Sequence, residues 1–294
     1  PQGSYTSVII SPNTHNTADI YNGFIKAEME VKIKEVDNKA ITKLESDSHV
    51  FNRMWFGFKD SRDAIEKYEI VSNGITIYTQ NYGCEESFLT ACCANETTKR
   101  ADIYSKARHK DIWNFTSGCR TGFVVDWADK DTKKWYEQKY KIHLKIDLRR
   151  FLPLSNIKYL PAFAGKIELR LHFSCAGMVC CPVGPGVDFQ NNISLASKYT
   201  LGDITNEFTP IGEKIKMYTD ITASTNETTK LESVVTTTEE RTFQVTEYTT
   251  TECSSIIPCF GIDENIYSSL VQRYSDPTHP LTFPTQTISV YTTT

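Results

Sequence analysis

Long apolar runs are missing from this chain. No stretch of about 18 consecutive apolar residues occurs, so the sequence offers no candidate transmembrane helix. A basic block is missing too. The 32 Lys and Arg are interspersed with 36 Asp and Glu, for a formal net charge of −4, which leaves no electrostatic footprint for strong nucleic-acid binding. The chain opens Pro-Gln-Gly-Ser without an initiator Met or a charged-then-apolar leader. That opening, and a last strand over 288–294 without a closing turn, read as a processed or truncated piece of a longer product.

Catalytic signatures are equally scarce. There is no G-x-S-x-G, no Walker A loop and no G-x-G-x-x-G leading from a strand into a helix. Gly184-Pro185-Gly186 is a turn, because Pro lacks the N–H that a phosphate cradle needs. The six histidines, His15, His49, His109, His143, His172 and His279, share no metal-type spacing. Cys175-x4-Cys180-Cys181 comes nearest to a zinc pattern, but Cys253-x5-Cys259 is a poor second half. The expectation is no catalytic residue, no cofactor and no metal, hence not an enzyme.

Nine cysteines (84, 92, 93, 119, 175, 180, 181, 253 and 259) are an odd number and include two vicinal pairs, Cys92-Cys93 and Cys180-Cys181. Adjacent residues strain to reach disulfide geometry, and free cysteine packs as a small hydrophobe. Mostly reduced, buried thiols are therefore expected. Four N-x-S/T sequons, at Asn95, Asn114, Asn192 and Asn226, are what a chain rich in Asn, Ser and Thr supplies by chance.

What the sequence does contain is alternation. Over 140–148, Tyr140, Ile142, Leu144, Ile146 and Leu148 oppose Lys141, His143, Lys145 and Asp147. Over 166–173, Ile167, Leu169, Leu171 and Phe173 oppose Lys166, Glu168, Arg170 and His172. Over 25–34, Ile25, Ala27, Met29, Val31 and Ile33 alternate with Lys and Glu. A period of two marks strands with one face buried and one wet. The predicted core is accordingly Ile25, Met29, Ile33, Leu144, Ile146, Ile167, Leu169 and Leu171. Leu154 joins it from an apolar connection over 151–163, in which Phe151, Leu152, Leu160 and Phe163 should also be buried and Pro153 and Pro161 should end regular pairing.

The remaining chain supplies shorter signals. Lys67–Val71 and Ile75–Thr79 flank Asn73-Gly74, a hairpin pattern. Phe51–Phe58 reads as a buried strand or tight bend, Cys84–Lys99 as a short helix or packed loop, and Asp126–Tyr136 as a surface excursion. Cys175–Pro185 reads as an irregular crossing, 219–240 as a long loop before a strand over 241–250, and Asp263–Tyr274 as a helix capped by Asp263.

These patterns describe an all-β, antiparallel β-sandwich. Residues 16–33, together with 141–161 and the run Gly165-Lys-Ile-Glu-Leu-Arg-Leu-His-Phe (165–173), resemble the double jelly-roll major capsid proteins of the Polinton/Maverick, adintovirus and virophage-like lineage. The resemblance covers about residues 16–175. It implies an N-terminal arm over 1–19, a first jelly roll over 20–176, an irregular connection over 177–240, and the start of an incomplete second jelly roll over 241–294. It also implies a homotrimer that makes lattice contacts, associates with penton and minor capsid proteins, and encloses double-stranded DNA without a strong binding site. Assembly would take place inside a host cell, with the virion capsid as its location. Two other readings stay open: a single jelly-roll penton or minor capsid protein, and a secreted β-sandwich adhesin or lectin-like module.

Overall fold

The computed structural model describes residues 5–13, 16–37, 53–81, 122–125, 139–183, 208–225, 232–278 and 280–283. The protein is mostly β, with antiparallel sheets that curl into a half-barrel. Among the described residues fifteen strands run in chain order: β1 (Thr6–Ile10), β2 (Asn16–Asp19), β3 (Phe24–Glu35), β4 (Arg53–Gly57), β5 (Ile65–Ser72), β6 (Ile75–Gln80), β7 (Gly122–Val125), β8 (Lys139–Asp147), β9 (Tyr159–Pro161), β10 (Ile167–Phe173), β11 (Val179–Val183), β12 (Thr209–Pro210), β13 (Lys214–Thr225), β14 (Glu232–Ile256) and β15 (Cys259–Gly261). The same residues hold two α-helices, α1 (Leu152–Ser155) and α2 (Glu264–Tyr274), and short 3-10 turns.

The strands form sheets β1-β10-β5-β6, β13-β14-β3-β8, β12-β11-β4-β7 and the small β15-β2-β9. The three strongly alternating segments became β3, β8 and β10 within one residue of the expected bounds. Burial follows the period of two. Along β3, Ile25, Ala27, Met29, Val31 and Ile33 are buried while Lys26 is exposed. These residues join the inward side chains of β8 and β10, and Tyr68 and Ile70 of β5, in one core cluster. The hairpin β5–β6 turns at Asn73 and Gly74, with φ of 48° and 86°, the positive values that such a turn requires.

Between β8 and β10 the chain crosses from one sheet to another. Phe151, Leu154 and Leu160 are buried as expected, but Leu152 and Phe163 are only half-buried. Pro153 sits in the first turn of α1, where its missing N–H costs no bond, and Pro161 ends β9 opposite Thr17.

Several expectations are corrected. Residues 1–19 are not simply an arm. β1 pairs with β10 from Thr6↔Leu171 to Ile10↔Ile167, burying Val8 and Ile10, and β2 is held between β15 and β9. The Cys175–Pro185 crossing contains β11, flanked by β12 and β4, so Cys180 and Cys181 are both buried and alternation is erased. In place of the long loop over 219–240, β13 and β14 form a hairpin paired from Lys214↔Thr242 to Thr225↔Glu232. The strand expected to open a second sandwich lies against β3, from Phe243↔Glu35 to Ile256↔Phe24, and Phe243 enters the same core. The segments 84–99 and 126–136, the sequons, Cys92-Cys93 and the last strand over 288–294 lie outside the described residues.

Candidate functional site

All nine residues named as core from the sequence, Ile25, Met29, Ile33, Leu144, Ile146, Leu154, Ile167, Leu169 and Leu171, are buried in the one cluster. They are scaffold, and what they leave outside is a pair of charged sheet faces.

On β14-β3-β8 the outward residues fall opposite one another: Glu28 faces His143 and Glu252, Glu30 faces Lys141 and Thr249, and Lys32 faces Lys139 and Glu247. Ion pairs form between them. Lys141 Nζ donates to Glu28 Oε1 at 2.9 Å, and Thr251 Oγ1 donates to the same oxygen at 3.0 Å. Lys139 pairs with Glu247 at 3.4 Å and Lys26 with Glu252 at 3.5 Å. His143 Nδ1 lies 3.4 Å from Glu28 Oε2. The Lys141 hydrogen bond holds the Glu28 carboxyl below the ordinary carboxylate range, and Glu28 in turn raises Lys141. Glu30, Lys32, Lys139, Glu247 and Thr249 line a shallow polar depression here.

The outer face of β1-β10-β5 repeats the arrangement. Arg170 Nε donates to Glu168 Oε1 at 2.9 Å, Ser7 Oγ donates to that oxygen at 2.8 Å, and Lys67 pairs with Glu69 at 2.8 Å. Arg170 holds Glu168 below its usual range, and Lys67 does the same for Glu69. His172 packs its ring on Tyr5 at 5.9 Å. Each exposed pair is worth little alone, so these ladders set register and surface character more than stability.

Sequence reasoning missed the buried ions. Arg241 and Glu35 pair with side chains only 1% and 2% exposed, joining β14 to β3. Arg150 pairs with Asp60 at 2.7 Å, and Arg62 packs against the rings of both Tyr68 and Phe151, 4.7 Å from each. Only an alternation phase that turns Glu35 and Arg241 inward signals the first of these pairs.

Tyr21, Tyr159 and Phe260 are exposed, with the last two rings meeting edge to face at 5.3 Å. Arg149 stacks over Tyr21 at 5.0 Å and Lys158 over Tyr159 at 5.3 Å.

Cys175, Cys180, Cys181, Cys253 and Cys259 form no disulfide. Burial pushes the first three thiols up to about 12. Among the described residues no group of three His, Cys, Asp or Glu is placed to hold a metal ion, and no helix is long and apolar enough to cross a membrane. In comparisons with known proteins, no family model and no curated sequence matches this chain.

Proposed function

We propose that this chain is a structural subunit of a viral or virus-like shell, built on a jelly-roll sandwich, that trimerises and tiles an icosahedral capsid around double-stranded DNA. The observation that carries the reading is the passage from β8 to β10. One amphipathic strand leaves its sheet, runs through a connection with Phe151 and Leu154 buried, and returns as an amphipathic strand of another sheet. Jelly rolls are double-sheet, antiparallel structures, and they connect their sheets by such crossings. The segment is also the one in which the sequence resembles the double jelly-roll major capsid proteins. Wide, ion-paired sheet faces suit a protein whose task is to meet copies of itself.

The pairing of β14 with β3 favours one variant of this reading, the single jelly-roll penton or minor capsid protein, because residues 243–256 complete the first sandwich. Expression of the full-length gene product, followed by light scattering and negative-stain microscopy, tests both. Trimers and closed shells support the major capsid role, and pentamers support the penton. A stable monomer at high concentration sinks the assembly reading.

A further inference from the structure

The dipeptide Asn-Gly occurs twice in this chain, at Asn22-Gly23 and at Asn73-Gly74. Glycine after asparagine is chemically distinctive, because no side chain shields its backbone nitrogen from the amide carbon of the asparagine before it. The two sites share that chemistry and differ in what holds them.

Asn22-Gly23 is pinned. Asn22 Nδ2 donates to Asp19 Oδ2 at 2.6 Å, and the Asn22 N–H donates to Asp19 Oδ1 at 3.2 Å, so both groups lie on one carboxylate. The Gly23 N–H donates to the Ile20 carbonyl at 3.2 Å, and the Gly23 carbonyl accepts from the Leu148 N–H at 2.9 Å. Gly23 is also buried, and a Cβ there would meet Leu148 Cδ1 at 2.8 Å. Its nitrogen is bonded, packed and away from water.

Asn73-Gly74 is open. The pair forms the two-residue turn between β5 and β6, and both residues are exposed. A Cβ at Gly74 would meet nothing within 4 Å, so solvent surrounds that position. The Asn73 N–H reaches the Lys166 carbonyl at 3.4 Å, a long bond, and the Asn73 amide lies against Gly165. Among the described residues no carboxylate holds that amide as Asp19 holds Asn22.

We infer that Asn73 is a site of spontaneous deamidation and that Asn22 is spared. The Gly74 nitrogen gives up its proton to solvent and attacks Asn73 Cγ. A new N–Cγ bond closes a succinimide ring, the Cγ–Nδ2 bond breaks, and ammonia leaves. Water then opens the ring, and nothing is oxidised or reduced. Cleavage of the new N–Cγ bond leaves an aspartate, while cleavage at the former backbone carbonyl carries the main chain through Cγ as an isoaspartate. Either product adds one carboxylate to a chain whose net charge is already negative. The isoaspartate also lengthens the backbone inside a turn that requires positive φ at both positions. The β5–β6 hairpin should then loosen from its tip, together with the neighbouring Ser72↔Ile167 pairing to β10.

The test holds the full chain in mildly alkaline buffer made with heavy-oxygen water and samples it over days. Peptide mapping by mass spectrometry reads conversion at each asparagine, and the label marks oxygen taken from solvent. Because Asn22 must first give up charge-assisted bonds, Asn73 should convert at least roughly tenfold faster, with label incorporated. In a tryptic digest, where the fold no longer protects either site, the two should convert at similar rates. Asp19→Ala should speed Asn22 by at least roughly tenfold in the folded chain and leave Asn73 unchanged. If that variant does not fold, the comparison of intact with digested protein still decides. Equal rates at the two sites in the intact chain overturn the inference. So does an Asn73 that converts no faster than Asn156, whose nitrogen neighbour Ile157 carries a branched side chain.

Discussion

Removing the Arg241 guanidinium should be among the most damaging single changes in this protein. Arg241 Nη1 donates to Glu35 Oε1 at 2.5 Å, and both side chains are almost wholly withdrawn from water. Arg241→Met keeps volume and apolar stem but leaves the Glu35 carboxylate buried opposite a thioether. Breaking one side of a buried pair costs about 3–5 kcal/mol, because the stranded charge has lost its water and its counter-ion together. A domain is stable by about 5–15 kcal/mol, so the loss is a large fraction of the whole. Replacing both ions, Glu35→Leu with Arg241→Met, removes the stranded charge and should recover stability to within about 1 kcal/mol of the starting protein. Urea unfolding of the two variants, followed by tryptophan fluorescence, measures both differences. If Arg241→Met costs less than about 1 kcal/mol, or the double variant is no better than the single, the reasoning from desolvation is wrong.

Three further outcomes are expected. Gly165 has φ of 87° and a Cβ there would collide with the Asn73 side chain, whereas Gly74, with φ of 86°, faces open space, so Gly165→Ala should lower the melting temperature more than Gly74→Ala; equal losses would refute the steric part. Maleimide labelling of the native protein at pH 8 with peptide mapping should modify exposed Cys259 quickly and spare Cys175, Cys180 and Cys181, whose thiols stay protonated until about 12. The Glu28 carboxyl should titrate below 4.5 by NMR and move back up in Lys141→Met. Its lowered value means that its small contribution to stability is present above 4.5 and fades as acid brings the pH down through the folded midpoint, and a Glu28 midpoint indifferent to Lys141 contradicts the assignment.

Much of this architecture was legible where one face of a strand meets water and the other meets the core. β3, β8 and β10 read clearly because Lys, Glu, Arg or His marks the wet side at every second residue. The β5–β6 turn read clearly because Asn73-Gly74 supplies the positive φ, and α2 because Asp263 accepts from the N–H groups of Asn265 and Ile266. Where burial covers both faces, the signal vanishes: β11 hides Cys180 and Cys181 alike. β1 and β2 are too short to show a period, and their place depends on β10, β9 and β15, far away in sequence. The Thr-rich β13–β14 hairpin resembles a loop in composition and becomes a strand pair through its ladder. The charged faces were readable residue by residue, but which Lys met which Glu depended on register. The buried Arg241–Glu35 pair joins groups 206 positions apart, beyond any local pattern.

That separation has a consequence for how the protein comes into being. β3 emerges before both of its neighbours: β14 follows only after some 200 further residues, and β8 arrives midway. Until then a 12-residue amphipathic strand has unpaired hydrogen-bonding edges, and the loops that close it are long. Pairings of such high sequence separation slow folding and prolong the time during which strand edges are open to other nascent chains. Closure of this sheet should therefore wait until β14 has been made, and early association between unfinished copies is its characteristic hazard.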